Sequence, residues 1–402
     1  MLDKAGMRQL CYVVTIDGIE PIPGYDRVET AIVNGWHVIV QKGQFKVGDP
    51  AIYFEIDSRV PSVRECFSFL EKRNYKVKTL KMCKTISQGL LMHAEDFGWT
   101  IFEGKIIDDE ACSHAPTDES RFLTNKLGVV YADDEDNQRK APSKDKYKLM
   151  MQRRPKLFKY KWARWMMKYK VGRAVMFTLF GNKKDKKNTW PAWVKKTDEE
   201  RIECIPFTLK DKEPWIVSEK VDGSSSTFTM KRGRFGKKMF YVCSRNVCFE
   251  SINKPCYYDT NIYWEIAQKY KMFDVLSDLM DFFPKEEWIT IQGEIYGEGV
   301  QRNTYGLTGR EFAAFNLITA NQGRFNSVKM RELLENNYQV PCVPILDEHY
   351  VLPDTVEELR EYVNSQPSTI NGAIKEGIVC RSQDGVKSFK CVSPEYLLKY
   401  HS

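Results

Sequence analysis

Two blocks of short, strand-like runs dominate the chain, and a basic stretch separates them. In the first block, from about residue 10 to 97, apolar runs alternate with turns marked by Gly43, Gly48 and Gly89. In the second block, from about residue 198 onward, strand-like runs alternate with helical ones. A short strand can bury its apolar face only against other elements, so each block must fold into its own sheet structure. The pattern predicts an α+β protein in which a small antiparallel barrel precedes a larger domain.

The first block has the composition of such a barrel. Residues 32–40 and 50–56 are rich in β-branched and aromatic residues, which are enriched in strands. Two barrel classes fit this pattern. OB-folds bind nucleic acids, whereas an SH3-like barrel with a purely structural role has a similar composition.

The second block predicts mixed or antiparallel sheets with two helical regions. Residues 263–283 and 356–363 have helical periodicity. The strand-like runs are "EPWIVSEKVDG", "KKMFYVCSRN", "WITIQGEIYG", "FAAFNLITA", "EGIVCRS" and "KSFKCVS".

The basic residues are concentrated in one segment. The chain has a formal net charge of +7, and residues 139–196 alone contain 20 Lys and Arg against two acids, Asp145 and Asp185. Within this segment apolar residues recur every three to four positions, which predicts an amphipathic basic helix. They are Leu157, Phe158, Trp162, Trp165, Met166 and Tyr169. Three roles fit such a helix: docking on the protein with its lysines in water, contact with a phosphate backbone, and attachment to an acidic membrane surface.

Several function classes have little support. Residues 1–10 lack the order of basic, apolar and small residues found in a secretory signal, and no apolar run approaches the roughly 20 residues that span a bilayer. The eleven cysteines include no CxxC pair, and the five histidines are dispersed. We therefore expect a cytoplasmic or nuclear protein with reduced cysteines, and chemistry that uses Lys, Asp and Glu.

A lysine stands inside the strand-like run "SEKVDGSSSTFTM", residues 218–230. An ammonium group on a half-buried strand is costly unless it is paired or used. Asp222 and Gly223 follow Lys220, so the amine lies beside a turn where glycine permits the close approach of a phosphate. This K-x-D-G pattern is weak by itself, because three fixed positions arise by chance in roughly one chain of this length in ten.

Five further residues follow on strand-like runs: Arg245, Glu294, Phe315, Glu376 and Lys390. With Lys220 they would suffice for nucleotidyl transfer. The side chain of a free lysine has a pKa of about 10.4. A nucleophilic lysine therefore needs a lowered pKa. Neighbouring cations such as Lys387 and Lys390, together with a carboxylate-held Mg²⁺, could lower it and stabilise charge on the phosphorus.

Each of these residues also has a structural interpretation. Phe315 alone would be a core residue, Glu294 and Glu376 solvated acids at strand ends, and Lys390 a surface lysine. The Ser/Gly run after Asp222 would be a hairpin turn. In the functional interpretation Glu376 is the metal ligand and Phe315 offers a flat face to a base. Glu294 and Arg245 then contact ribose and phosphate.

The ordered set resembles the motifs of the covalent nucleotidyltransferase superfamily, which comprises DNA ligases, RNA ligases and capping enzymes. The matching stretches are "EKVDGSS", "SRN", "GEIYG", "FAAFNL", "EGIV" and "SFK". The first block and "KTDEERIE" at residues 196–203 resemble the N-terminal OB domain and the domain entry of Deinococcus/Naegleria-type RNA ligases. The resemblance covers about 1–130 and 188–402, and the basic segment at about 139–187 looks like an insertion.

Domain order supports this branch of the superfamily. DNA ligases and capping enzymes generally carry an OB domain after the last motif, whereas only twelve residues follow Lys390 here. One departure concerns that motif, which usually has two lysines two positions apart. In this chain Ser388 occupies the earlier position, and Lys387 is displaced by one.

The resemblance implies three regions: an OB-fold domain at 1–125, a polar linker with a basic insertion at 126–195, and an ATP-grasp-like adenylyltransferase (ligase) domain at 196–402. It implies an ATP-dependent RNA ligase that works in three steps. Lys220 attacks the α-phosphate of ATP, AMP passes to a 5′-phosphate end, and a 3′-OH attacks and expels AMP.

The resemblance also implies roles for individual residues. Catalysis would use Lys220, Asp222 and Lys390, with Asp222 acting through a water on the metal. The nucleotide would contact Glu219, Lys220, Arg245, Glu294, Phe315 and Lys390. Glu376, with Asp222, would hold Mg²⁺ or Mn²⁺.

The implied substrate is a nicked duplex with RNA on the 3′-OH side. The enzyme is expected to be a monomer without an obligate protein partner. Two alternatives remain open at this stage: a capping-type RNA guanylyltransferase, and a non-catalytic OB-fold protein that binds RNA or tRNA.

Overall fold

The computed structural model describes residues 1–3, 7–107, 122–132, 157–180, 190–196, 198–249 and 261–400. Part of the polar linker and the outer parts of the basic insertion lie outside these residues. None of the described helices is both long enough and apolar enough to cross a membrane.

Thirteen strands lie in the N-terminal block and its continuation. They are β1 (Cys11–Thr15), β2 (Gly18–Pro21), β3 (Val28–Val33), β4 (Trp36–Gln41), β5 (Pro50–Phe54), β6 (Ser58–Arg59), β7 (Lys76–Val77), β8 (Thr79–Met82), β9 (Thr85–Gln88), β10 (Leu90–Met92), β11 (Thr100–Phe102), β12 (Lys105–Ile107) and β13 (Val130–Tyr131). They form small antiparallel sheets, of which β1-β5-β10 and β2-β3-β4 are the largest.

The C-terminal block contains two larger sheets. Its strands are β14 (Trp215–Lys220), β15 (Ser224–Arg232), β16 (Lys238–Ser244), β17 (Cys248–Phe249), β18 (Trp288–Gly297), β19 (Arg310–Thr319), β20 (Gly323–Arg324), β21 (Ile345–Tyr350), β22 (Gly377–Ser382) and β23 (Ser388–Val392). One sheet has the order β21-β14-β22-β23, and the other has the order β17-β16-β15-β18-β19-β20. All strand pairs in both sheets are antiparallel.

The described helices are α1 (Thr124–Leu127), α2 (Lys161–Met166), α3 (Lys170–Phe180), α4 (Ile262–Lys269), α5 (Met272–Phe282), α6 (Ser327–Tyr338), α7 (Val356–Asn364) and α8 (Pro394–Tyr400). α4, α5 and α6 cover the larger sheet, where Leu276 and Leu334 pack with Phe228. α7 covers the smaller sheet, where Leu359 packs with Trp215.

Consecutive strands β14 and β15 belong to different sheets. The structural interpretation of the Ser/Gly run as a hairpin turn is therefore wrong, because β14 pairs with β21 and β22 while β15 pairs with β16 and β18. The short connection after Lys220 passes from one sheet to the other and lies where the two sheets meet. Gly223 is required here, since a Cβ atom would lie 2.1 Å from the carbonyl oxygen of Ile295.

Three predicted elements differ from the structure. The strand expected at 32–40 is a hairpin, because Asn34 and Gly35 both have positive φ and form a tight turn between β3 and β4. The helix expected at 263–283 is interrupted at Lys271, which is in the left-handed region. The single basic helix expected from residue 157 is divided into α2 and α3. The backbone N–H groups of Lys168 and Tyr169 donate hydrogen bonds to residues three positions earlier, and these bonds form a tight turn between the two helices.

The N-terminal block contacts the C-terminal block at several places, two of which lie near predicted site residues. Arg360 on α7 donates to Glu203 at 2.7 Å and lies 3.0 Å from Nδ1 of His37 on β4. Ile86 on β9 packs with Val392 and Leu397, beside the C-terminal helix α8. Both contacts are next to strands that carry predicted site residues, so the N-terminal block lies close to these residues.

Candidate active site

The candidate site is a cavity of about 690 Å³ where the two large sheets meet. Strand ends from both sheets contribute to its wall. All the residues predicted as catalytic, nucleotide-binding or metal-binding line it: Glu219, Lys220, Asp222, Arg245, Glu294, Phe315, Glu376 and Lys390. The structure therefore brings together residues that are up to 171 positions apart in the chain.

Lys220 ends β14 and forms an ion pair with Glu376. Its Nζ atom lies 2.6 Å from Oε1 of Glu376, and both side chains are largely buried. Burial opposes the positive charge of Lys220, but the attraction of Glu376 and Glu294 outweighs it. The pKa of Lys220 is therefore raised above its ordinary value. Without a nucleotide or metal, the amine is held in its protonated, non-nucleophilic form.

Glu294 lies on β18, opposite Ser225 of β15. Burial raises its pKa to about 8, and repulsion from Glu376 and Asp222 acts in the same direction, against the attraction of Lys220. Three carboxyl groups thus crowd around one ammonium. Such a group of acids is the environment that a bound cation would stabilise.

The carboxyl groups fit a divalent cation of the kind that the predicted chemistry needs. Oε2 of Glu376 is buried and has no hydrogen-bond partner among the described residues. No group of three or more His, Cys, Asp and Glu in those residues has the arrangement of a complete protein-only metal site. Mg²⁺ commonly uses one or two carboxylates and completes its shell with water and substrate phosphate oxygens. Glu376 provides such a partial ligand set.

Asp222 is positioned by its neighbours at the turn after β14. Its Oδ2 atom accepts a hydrogen bond from Thr304 at 2.9 Å, and its backbone N–H donates to the hydroxyl of Tyr305 at 2.8 Å. Tyr396 of α8 also bonds to this carboxylate, and together with burial this raises the pKa of Tyr396. These contacts hold Asp222 in place on the cavity wall.

Lys390 lies on β23, opposite Val379 of β22. Burial lowers its pKa to about 8, and the charges of Arg201 and Lys220 add to this effect. Its backbone N–H donates to the carbonyl of Glu200 at 2.8 Å, so the entry segment of the domain runs alongside β23. A bound anion would raise this pKa again, because it would stabilise the ammonium form.

Lys387 does not contribute to the cavity. Its Nζ atom forms an ion pair with Asp211 at 2.7 Å, and it lies among exposed residues outside the cavity wall. The sequence interpretation in which Lys387 helps to lower the pKa of Lys220 is therefore not supported. Successive side chains along a strand point to opposite faces of the sheet. Ser388 and Lys390 are two positions apart and share one face, whereas Lys387 is one position from Ser388 and does not.

The remaining predicted contacts differ in what their side chains do. Phe315 lies half-buried in the wall and packs with Val221. Arg245 is exposed and pairs with Asp198 at 2.6 Å. The Glu219 carboxylate accepts from the backbone N–H and the hydroxyl of Thr369 at 2.9 and 2.8 Å, so this side chain fixes a loop at the cavity rim.

The residues of the wall that the sequence interpretation missed include Arg201, Arg381 and Tyr396. Arg201 forms an isolated parallel bridge with Lys390, and Arg381 lies opposite Ser388. Both arginines stand inside or next to stretches that were quoted, "KTDEERIE" and "EGIVCRS", so alternation along β22 could have identified Arg381. Tyr396 carries no comparable sequence signal, because it reaches the site through the fold of α8.

Comparisons with known proteins agree with this architecture. The family model described as an OB-fold domain matches residues 10–94, and the one described as RNA ligase matches residues 213–401. No curated protein matches significantly.

Solved structures of Naegleria gruberi RNA ligase are similar over nearly the whole chain. The structure with PPi is 24% identical with a TM-score of 0.64, and covers 98% of this chain and 99% of its own. A variant with ATP and Mn is 24% identical with a TM-score of 0.65, and covers 98% of this chain and 100% of its own. A variant with AMP and Mn is 24% identical with a TM-score of 0.64, and covers 98% and 99%. At this identity the likeness establishes the shared fold.

Proposed function

The chain joins an N-terminal OB-fold domain to an RNA ligase domain, and we propose that it is an ATP-dependent RNA ligase that seals 3′-OH/5′-phosphate nicks through lysyl-AMP on Lys220. The predicted α+β fold class and the predicted ligase class are confirmed by these two matches. The assignment of individual residues is our proposal, and it rests on the geometry of the cavity.

One observation carries this proposal: Lys220, Glu376 and Lys390 converge in one cavity. The three residues come from β14, the start of β22, and β23 of a single sheet. Nucleophile, metal ligand and phosphate-binding cation are the three groups that nucleotidyl transfer requires. A nucleic-acid-binding protein without catalysis would have no use for a buried lysine that faces three carboxyl groups.

The first chemical step follows from the contacts of Lys220. The neutral amine attacks the α-phosphorus of ATP, the N–P bond forms, and the P–O bond to the β-phosphoryl group breaks. The electron pair of that bond leaves with pyrophosphate, and the amine loses a proton to solvent or a nearby carboxylate. Mn²⁺ or Mg²⁺ held at Glu376 and, through water, at Asp222 would supply positive charge that frees the amine and stabilises the phosphoryl oxygens.

Residues of this chain would orient the nucleotide for that step. Phe315 offers an apolar face for the base, since it lines the cavity while packing on Val221. Lys390 gains a counter-ion when a phosphate enters, because its pKa of about 8 reflects burial beside other cations. The carboxyl group of Glu294 would bond the ribose in its protonated form or contact the metal in its ionised form.

The later steps need a nucleic acid close to the cavity. The OB domain contacts β23 and α8, which border the site, so a duplex bound on the barrel would lie near Lys220. We propose a nicked duplex with RNA on the 3′-OH side as the substrate. A monomer located in the cytoplasm or nucleus remains our expectation.

The basic–aromatic segment, residues 157–180, is proposed as a second nucleic-acid contact. It contains six Lys and Arg and no Asp or Glu. Its core is small, because Ala163 and Met176 are buried while Trp162 and Trp165 are each more than half exposed. Exposed aromatic rings between cations can stack on bases and pair with phosphates. An acidic membrane surface is the alternative partner, and the experiment in the Discussion distinguishes the two.

Labelled nucleotides test the proposed function. The protein is incubated with α-labelled ATP or GTP and Mn²⁺, denatured, and then assayed for covalent label. We expect label from ATP and none from GTP, and the ATP-charged protein should seal a nicked duplex. Label from GTP alone would favour the guanylyltransferase alternative, and no label from either would favour a binding protein.

A further inference from the structure

A cluster of two arginines and one carboxylate lies at the end of the cavity away from Lys220. Arg381 donates from Nη2 to Oε1 of Glu199 at 3.1 Å. Arg324 donates from Nη1 to the hydroxyl of Ser388 at 3.1 Å and approaches Glu199 at 3.5 Å. Ser388 in turn donates to Oε2 of Glu199. Glu199 and Arg381 both line the cavity.

The charges in this cluster do not balance. Two guanidinium groups share one carboxylate, and burial of Glu199 is outweighed by Arg381 and Arg324, which lower its pKa. Among the described residues, Glu199 is the carboxylate that acts appreciably on Arg381, while Arg324 repels it. The cluster therefore carries one uncompensated positive charge.

Arg381 also has hydrogen-bonding capacity that the fold does not use. It is 3% exposed, yet neither Nε nor Nη1 has a hydrogen-bond partner among the described residues. A buried cation with two unused N–H donors is costly unless an anion occupies the space beside it. An arginine fork is suited to phosphate oxygens, because its N–H groups match two oxygens at once.

Strand register places Arg381 in line with the reacting groups. Lys220 lies opposite Gly377, Lys390 opposite Val379, and Ser388 opposite Arg381. Residues two apart on a strand, and residues directly opposite each other, share one face of the sheet. Lys220, Lys390 and Arg381 therefore follow each other on the cavity face, in rows about 6.6 Å apart.

We propose that Arg381, oriented by Glu199 and Arg324, binds the β- and γ-phosphates of ATP and the pyrophosphate that leaves. This inference rests on the proposed function, because it assigns the far end of the same cavity. In-line displacement puts the leaving group on the side of the α-phosphorus away from the nucleophile. Negative charge grows on that group as the bond breaks, and the uncompensated charge of the cluster stabilises it there.

The test compares ATP with AMP, which lacks the two outer phosphates. Equilibrium binding is measured in Lys220→Ala protein, where no covalent product forms. Arg381→Met should raise the Kd for ATP about ten- to a hundredfold, the loss expected for charge-assisted hydrogen bonds, and change the Kd for AMP less than about twofold. Arg331→Met, which breaks an ion pair with Glu335 on α6, is the matched control and should change neither.

Two further variants give effects of different sign. Ser388→Lys, added to Arg381→Met, places a cation on the same face directly opposite residue 381 and should restore much of the ATP affinity. Glu199→Gln keeps an acceptor for Arg381 but removes the negative charge, so it should tighten binding of ATP and of inorganic pyrophosphate. This variant also keeps the test decisive if Arg381→Met proves unfolded by circular dichroism.

The inference is overturned if Arg381→Met weakens ATP and AMP equally, if ATP affinity is unchanged, or if Glu199→Gln weakens pyrophosphate binding. These outcomes differ from failure of the proposed function. In that case the parent protein itself would form no covalent nucleotide adduct, whatever happens at Arg381.

Discussion

Nζ of Lys220 lies 2.6 Å from Oε1 of Glu376, so the proposed nucleophile is bound by the proposed metal ligand. The ion pair raises the pKa of the lysine and keeps the amine protonated. A cation that occupies Glu376 would weaken this attraction and release the neutral amine. One contact thus couples metal binding to activation of the nucleophile.

Glu376→Gln tests this coupling. The variant loses both the ion pair and a charged metal ligand, so formation of lysyl-AMP should fall about 10²- to 10³-fold, the typical cost of removing one group that stabilises a transition state. ATP affinity should change far less. Single-turnover adenylylation measured against ATP concentration gives both quantities, and its dependence on Mn²⁺ concentration reports metal binding. Glu361→Gln, which changes an exposed acid on α7, is the control. If Glu376→Gln depends on Mn²⁺ concentration as the parent protein does, Glu376 is not a metal ligand and has only a structural role.

Lys390 predicts how ATP affinity depends on pH. Its pKa of about 8 lies below the ordinary lysine value, and a bound phosphate favours the ammonium form. Affinity should therefore be constant below pH 8 and fall as pH rises above 8, by at most tenfold per pH unit for one proton. Lys390→Arg stays charged and should flatten this dependence in a binding titration between pH 7 and 9.5. An equally steep decline in the arginine variant would assign the pH effect to another group.

The basic–aromatic segment is tested by the salt dependence of nucleic-acid binding. Replacing Lys161, Arg164 and Lys168 by Ser should flatten the slope of log K against log salt for a nicked duplex by up to about 3, because each lost phosphate contact removes about 0.9. Formation of lysyl-AMP should be unchanged.

The control for this variant replaces three exposed lysines of the ligase domain in the same way: Lys237, Lys285 and Lys329. It should leave the slope of log K against log salt unchanged. Vesicles of neutral and acidic lipid are assayed in parallel. If the first variant keeps the parental slope but no longer binds acidic vesicles, the segment is a membrane-surface element.

Gly89 predicts a stability effect that is independent of the chemistry. Its φ is +113°, and a Cβ atom would lie 2.3 Å from the ring of the fully buried Tyr53. Gly89→Ala should lower the free energy of unfolding of the OB domain by about 2 kcal/mol or more, because a buried ring must move and the backbone is strained. Urea unfolding measures this loss. Gly43→Ala, also at positive φ but with no atom within 4 Å, should cost about 1 kcal/mol.

Much of the ligase domain could be predicted because the signals for its strands lie in the local sequence. β14, β16, β18, β22 and β23 lie inside the predicted runs, β19 begins two residues before its run, and α7 matches the predicted helix. Alternation and helical periodicity of apolar residues are local properties, so they can be recognised in the sequence without knowledge of the fold. Lys220 and Glu376 stand at or next to a strand end, and Glu294 lies three residues before the end of β18, where the two sheets adjoin.

The rest depends on contacts between distant parts of the chain. Local sequence does not show that β14 and β15 separate into two sheets, since a Gly/Ser turn is equally compatible with a hairpin. The contact of Glu199 with Arg324 and Arg381 joins residues more than 120 positions apart. The helix α6 was missed because its apolar face is narrow, and its start is fixed by Asn326, whose side chain caps the first turn.

Lys220 is the centre of this account, and the site of covalent modification tests it most directly. The protein is incubated with ATP and Mn²⁺, and intact mass and peptide mass spectra are recorded under conditions that preserve phosphoramide bonds. The account predicts one added AMP, on the peptide that contains Lys220, and none in a folded Lys220→Arg variant. An AMP adduct on another residue, or one that persists in the Lys220→Arg protein, would contradict it.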